Sequence, residues 1–106
     1  MRDLKITLVQ ANQVWEDKKA NFANYERLLE NIKTDLIVLP EMFQTGFSMN
    51  VEVLAEDVKS SSSILWLQEL SQRKNAAIYT SLIVKEGDCF RNQGVFVQGN
   101  QKVIRY

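Results

Sequence analysis

The stretch Leu36-Ile37-Val38-Leu39-Pro40-Glu41-Met42-Phe43-Gln44-Thr45-Gly46-Phe47 sets the reading of the chain. Four consecutive apolar residues predict a strand covered on both faces. Pro40 has no N–H to give to a ladder, so the strand ends there. Glu41 follows at once, at the mouth of that strand and beside Met42, Phe43 and Phe47. A carboxylate kept among apolar groups suits general acid–base work near neutral pH. From residue types alone a second reading stands beside it, that of an exposed acid in the loop after a strand, where most such acids are found.

Outward from this stretch the chain alternates strands and helices. Residues 4–10 are rich in β-branched and long apolar side chains and predict a first strand. A loop over 12–17 carries Trp15, and Asp17 is placed to cap a helix over 18–33. Phe22, Tyr25, Leu29 and Ile32 recur at helical spacing, joined by Leu28, and form its apolar stripe. Lys18, Lys19, Glu26, Arg27 and Glu30 fall mainly on the other side, which reads as solvated surface. The second strand covers 35–39. Residues 42–59 show no regular pattern, and loops of that length often line pockets.

Ser60 to Ser63 supply caps for a second helix ending near Asn75, with Ile64, Leu65, Leu67 and Leu70 apolar and Trp66 alongside. A β-rich strand follows over 76–84. Glu86-Gly87-Asp88 is a turn signal, and another strand runs over 89–98. Gly99-Asn100 turns the chain into 101–106 as a hairpin. The order β-α-β-loop-α-β-β-β, without internal repeat, predicts an α/β arrangement with helices packed on a sheet.

Composition removes several function classes. The 106 residues suffice for one domain and not for two. With 45% hydrophobic and 25% charged residues the chain reads as a soluble globular protein. Thirteen basic and thirteen acidic side chains cancel, which leaves no electrostatic case for nucleic acid or an anionic membrane as partner. No apolar run approaches a membrane span, and Met1-Arg2-Asp3-Leu4 opens no signal-peptide core, so a cytoplasmic location is expected. Cys89 is the one cysteine, which rules out an internal disulfide and fits a reducing compartment. The lack of histidine removes Ser-His and Cys-His pairs and argues against a zinc site.

Other residues are weighed in the same way. Cys89 follows a Gly87-Asp88 turn and reads as a small, half-buried strand residue with an ordinary thiol, not as a nucleophile. Lys85 and Lys102 lie near turns and read as surface. Phe43 and Phe47 fit equally as walls of a substrate pocket or as plugs at the end of the core. Asn92 either fixes a strand end or faces solvent, a structural role being preferred to a catalytic one. Trp15 and Trp66 read as core or interface anchors.

Leu39-Pro40-Glu41-Met42-Phe43 followed by Thr45-Gly46-Phe47 resembles the first catalytic motif of the nitrilase, or carbon–nitrogen hydrolase, superfamily. Ile6-Thr7-Leu8-Val9-Gln10 resembles its first strand, and the Asn-rich helix near Asn21 and the strand carrying Arg91-Asn92-Gln93 also fit. Trp15, the Glu-Met-Phe-x-x-Gly-Phe form of the motif and the Phe47-Ser48-Met49 continuation resemble the bacterial omega-amidase branch. The resemblance implies a four-layer α-β-β-α sandwich, of which this chain would supply one sheet with two helices, as the N-terminal part of a single domain.

It further implies a Cys-Glu-Lys triad that hydrolyses linear amides such as 2-oxoglutaramate or 2-oxosuccinamate without metal or cofactor. Glu41 is the member expected in this chain, with Phe43 and Phe47 as candidate substrate contacts. Tyr106 would open a Tyr-Asp-Lys sequence whose lysine lies beyond the chain. The nucleophilic cysteine would lie further on, and the chain alone is expected to be inactive. A homodimer is expected by resemblance only. The alternative class is a small non-catalytic α/β module for binding or oligomerisation.

Overall fold

Ile6–Leu8 (β1), Leu36–Val38 (β2) and Ala77–Glu86 (β4) run parallel, in that spatial order, in a computed structural model that describes residues 3–106. Cys89–Val97 (β5) continues the sheet antiparallel to β4, and Ile104–Arg105 (β6) antiparallel to β5. Lys18–Leu29 (α1) and Ser62–Lys74 (α3) are the long helices. The α/β arrangement expected from the element order is therefore observed.

Residues 42–59 are not wholly irregular. They hold a one-turn helix, Val51–Leu54 (α2), and a two-residue strand, Glu56–Asp57 (β3), which pairs parallel with the far end of β4. Neither could be read from sequence, since four residues barely close one helical turn and two residues show no alternation.

Caps fix the helices where the sequence placed them. The Asp17 carboxylate accepts from the Ala20 N–H at 3.0 Å, and the Ser61 hydroxyl oxygen accepts from the Ile64 N–H at 3.1 Å. Helix α3 ends on Asn75 at φ 50°, the left-handed stop that asparagine tolerates. Helix α1 stops at Leu29, four residues before the expected Lys33. The Lys74 ammonium donates to the Leu29 and Glu30 carbonyls and so meets the free acceptors at that end.

One face of the sheet and the two helices enclose the core. Ile37, Ile78, Leu82, Val84, Val95 and Val97 from the sheet meet Tyr25, Leu29, Leu67 and Leu70 from the helices. Each such side chain contributes about 1.5–3 kcal/mol when fully buried. Phe22, Phe43 and Trp66 stack between them, Phe22 on Trp66 at 4.6 Å. Trp66 is thus a core anchor, whereas Trp15 is 63% exposed.

The opposite face is open. Register places Ile6 beside Leu36, Leu8 beside Val38, Val38 beside Tyr79, Tyr79 beside Phe96 and Phe96 beside Ile104. Directly opposed residues share a face. Of this row Ile6, Leu8, Tyr79 and Ile104 are exposed. Among the described residues no helix is long and apolar enough to cross a membrane.

Candidate active site

Strand β2 stops at Val38, and the chain leaves the sheet through Leu39 and Pro40. Strand β4 holds that exit on both sides of Glu41. The Leu39 N–H donates to the Tyr79 carbonyl at 3.0 Å, and the Thr80 hydroxyl donates to the Pro40 carbonyl at 2.9 Å. Beyond Glu41 the Met42 N–H donates to the Ser81 hydroxyl at 2.9 Å, and the Phe43 N–H to the Ser81 carbonyl at 3.2 Å. Glu41 sits at the crest of this clamp.

Met42 takes φ 50°, a left-handed value that costs an L-residue about 1–2 kcal/mol. That reversal turns the residues after Glu41 inward. Phe43 is 0% exposed and lies among Phe22, Tyr25 and Trp66. The Tyr25 hydroxyl donates to the Phe43 carbonyl at 2.6 Å. Burial pushes the Tyr25 hydroxyl above its ordinary pKa, and a hydrogen bond from Gln13 opposes that only in part. Met42 packs on Leu54 and Ile83. The expectation that Met42, Phe43 and Phe47 gather around the carboxylate is corrected. Phe43 fills the core, as the plug reading had it, Met42 is buried against Leu54 and Ile83, and Phe47 is 62% exposed.

Glu41 itself is exposed. Its side-chain partner among the described residues is Asn92 of β5, whose Nδ2 donates to Oε1 at 2.5 Å. The two line an open depression of about 360 Å³ with Val38, Leu39, Tyr79, Thr80, Ser81 and Gly94. Gly94 leaves room there for the Tyr79 hydroxyl. A Cβ at that position would stand 2.7 Å from the Tyr79 hydroxyl oxygen. Tyr106 packs beside these residues, its N–H donating to the Gly94 carbonyl at 2.9 Å and its ring edge-on to Tyr79 at 6.2 Å.

The loop before α1 supports the turn from outside. Gln13 Nε2 donates to the Met42 carbonyl at 3.2 Å and to the Glu41 carbonyl at 3.4 Å. Asn21 is buried. Its Oδ1 accepts from the Val14 N–H, and its Nδ2 donates to the Val14 and Gln44 carbonyls. Glu16 accepts from the Ser48 hydroxyl at 2.6 Å. The Trp15 ring lies 3.4 Å from where a side chain on Gly46 would begin, and Gly46 takes φ 76°. Sequence reading passed over Gln13, Thr80 and Ser81, and took Asn21 only as the start of an Asn-rich helix. The available signal was a hydroxyl pair, Thr80-Ser81, inside an otherwise apolar strand, and an asparagine on the apolar side of α1.

A second polar cluster lies below. Glu56, 8% exposed, accepts from Lys18 Nζ at 2.8 Å, the Ser61 hydroxyl at 2.6 Å and both the N–H and hydroxyl of Ser63. Burial alone would push its carboxyl up; the Lys18 ammonium and the serine donors outweigh this and hold it below its ordinary pKa. Lys18 is thereby corrected from solvated surface to the partner of a buried acid. Cys89 is exposed at the start of β5, not half-buried. Lys85 and Lys102 are exposed, as expected. The described residues contain no group of three acidic or thiol side chains able to hold a metal.

Residues 5–106 match the carbon-nitrogen hydrolase family. The chain belongs to that family. It is 40% identical to an omega-amidase, YafV, of Yersinia enterocolitica and 41% identical to YafV of Escherichia coli K12, in each case over all of this chain and 41% of the relative. The chain thus spans about two fifths of the length of the curated relatives it matches. A carbon–nitrogen hydrolase superfamily protein of Xanthomonas campestris, with an arsenic adduct in its active site, superposes with a TM-score of 0.88 at 32% identity, covering 100% of this chain and 40% of that one. Yeast Nit3, of nitrilase branch 10, shares the fold at a TM-score of 0.79 and 22% identity over 97% of this chain and 43% of that one. The family match and the relatives at 32–41% identity bear out the resemblance to the carbon–nitrogen hydrolase superfamily.

Proposed function

We propose that this chain is the amino-terminal part of an omega-amidase, and that Glu41 is the proton-transferring member of its Cys-Glu-Lys triad. The substrate class is a linear 2-oxo acid amide, 2-oxoglutaramate or 2-oxosuccinamate, converted to the 2-oxo acid and ammonia. The likeness to the YafV omega-amidases supports the substrate class. The observation that carries the role of Glu41 is its carboxylate, presented at the crest of a turn clamped by Tyr79, Thr80 and Ser81 and facing an open depression.

In the proposed reaction a thiol supplied by the rest of the domain attacks the amide carbonyl, and Glu41 accepts its proton. Collapse of the tetrahedral intermediate passes that proton to departing ammonia. Glu41 then takes a proton from the water that hydrolyses the thioester and returns it to the thiol, ending as it began. A lysine stabilises the oxyanion in both halves. Tyr106 lies against Gly94 and Tyr79, two residues that line the depression, so the two residues of the family pattern that follow it start close to the site. Cys89 stands exposed at the β4–β5 turn and has no part.

The test is turnover of 2-oxoglutaramate by the full-length gene product. Glu41→Gln is expected to lower kcat by 10²-fold or more, on the order expected for loss of a general base, while leaving thermal unfolding unchanged. Cys89→Ser is expected to leave kcat unchanged. An active Glu41→Gln enzyme, or one silenced by Cys89→Ser, would overturn the assignment.

A further inference from the structure

We propose that Asn92 is a positioning residue for Glu41, holding the carboxylate by Oε1 so that Oε2 is the oxygen that takes the proton. The inference rests on the reading of Glu41 as the proton acceptor. An exposed glutamate has three side-chain torsions and samples several rotamers, which spreads its carboxylate over a volume wider than a reacting geometry allows. Here the backbone end is fixed, because Thr80 and Ser81 hold the residues on either side of Glu41. The other end is fixed by one bond, Asn92 Nδ2 to Glu41 Oε1 at 2.5 Å. Asn92 stands in β5 opposite Ile83, inside the longest paired segment of the sheet, so its Cβ cannot drift.

The chemistry suits holding and not reacting. Only the amide NH₂ of asparagine can donate to a carboxylate, which settles which end faces Glu41. The amide has no proton to surrender near neutral pH, so it cannot replace the shuttle. A donor to an ionised oxygen is among the stronger hydrogen bonds, and it leaves the second oxygen open. That second oxygen remains available in the depression lined by Tyr79, Ser81 and Gly94. Asn92 was expected to have a structural role; its partner instead is the candidate catalytic group.

The experiment is a kinetic cycle in the full-length enzyme, using Asn92→Leu, Asn92→Gln, Asn92→Ser, Glu41→Gln and the double variant Glu41→Gln/Asn92→Leu. Asn92→Leu is expected to lower kcat by roughly 10- to 100-fold with KM and thermal unfolding little changed. Asn92→Gln, which keeps the donor on a longer stem, is expected to recover part of that loss. Asn92→Ser, whose hydroxyl is too short to reach, is expected to behave like Asn92→Leu and serves if the leucine variant does not fold. The double variant is expected to be no slower than Glu41→Gln alone.

Wild-type kcat in both Asn92→Leu and Asn92→Ser, with Glu41→Gln inactive, would overturn the positioning role and leave the Glu41 assignment standing. So would a loss of kcat that adds in full to that of Glu41→Gln. An active Glu41→Gln enzyme would instead remove the reading on which the inference rests.

Discussion

Gln44 sits three residues beyond Glu41, 0% exposed, with neither side-chain amide atom hydrogen-bonded among the described residues. Its backbone is well used, since the carbonyl accepts from Asn21. An unpaired buried amide costs about 1–3 kcal/mol, whereas an apolar side chain of the same length is neutral or better. Gln44→Met is therefore expected to keep or raise the thermal midpoint of the protein, measured by calorimetry. A lowered midpoint would show that the amide is bonded after all. At this scale the sequence located the strand end ahead of Glu41, because a proline directly after an apolar run dictates where a parallel strand ends. It left Phe43 and Phe47 open between pocket wall and core plug, because which of them turns inward depends on the positive φ of Met42, and no residue type announces that value. It gave Asn92 only a structural role and passed over Ser81, because their roles come from register across β4 and β5.

Helix α3 shows how an element depends on a residue outside it. Glu56 precedes the helix and receives the Ser61 and Ser63 hydroxyls and the Ser63 N–H, a free donor of the first turn. A negative charge there also suits the positive end of the helix. Lys18, at the start of α1, completes the pair, so one carboxylate joins both helix beginnings. Its folded pKa is depressed, so the stabilisation is fully present above the unfolded value of about 4.3 and is lost as pH falls through the folded value. Glu56→Gln is expected to cost about 1–3 kcal/mol at pH 7. The gap to wild type should hold down to about pH 5 and shrink below about pH 4, as the wild-type carboxyl becomes protonated. Chemical denaturation across this range reads the effect, and a gap that widens on acidification would refute it. The helices themselves were legible, since caps and 3.6-residue spacing are local. Strand β3 was not, because its existence depends on pairing with Val84 and Lys85, far along the chain.

At the scale of the molecule, the two faces of the sheet differ in kind. One carries the helices and the aromatic stack of Phe22, Phe43 and Trp66. The other carries an apolar row from Ile6 and Leu8 through Leu36 and Val38 to Tyr79, Phe96 and Ile104, with Leu8 73% exposed. The charge balance offers no repulsion to keep two such faces apart, with thirteen charges of each sign. Contiguous apolar surface of this kind drives association in water. The 106-residue chain on its own is therefore expected to self-associate, its light-scattering mass rising with concentration. Leu8→Lys, which sets a charge in the row without touching the helix-covered core, is expected to shift the population toward monomer. Lys102→Glu, an exposed residue outside the row, is expected to leave it unchanged. A wild-type chain that stays monodisperse and monomeric at all concentrations, and melts cooperatively, would show that this face needs no cover. That result would favour the alternative of a self-sufficient small module over a part of a larger hydrolase domain.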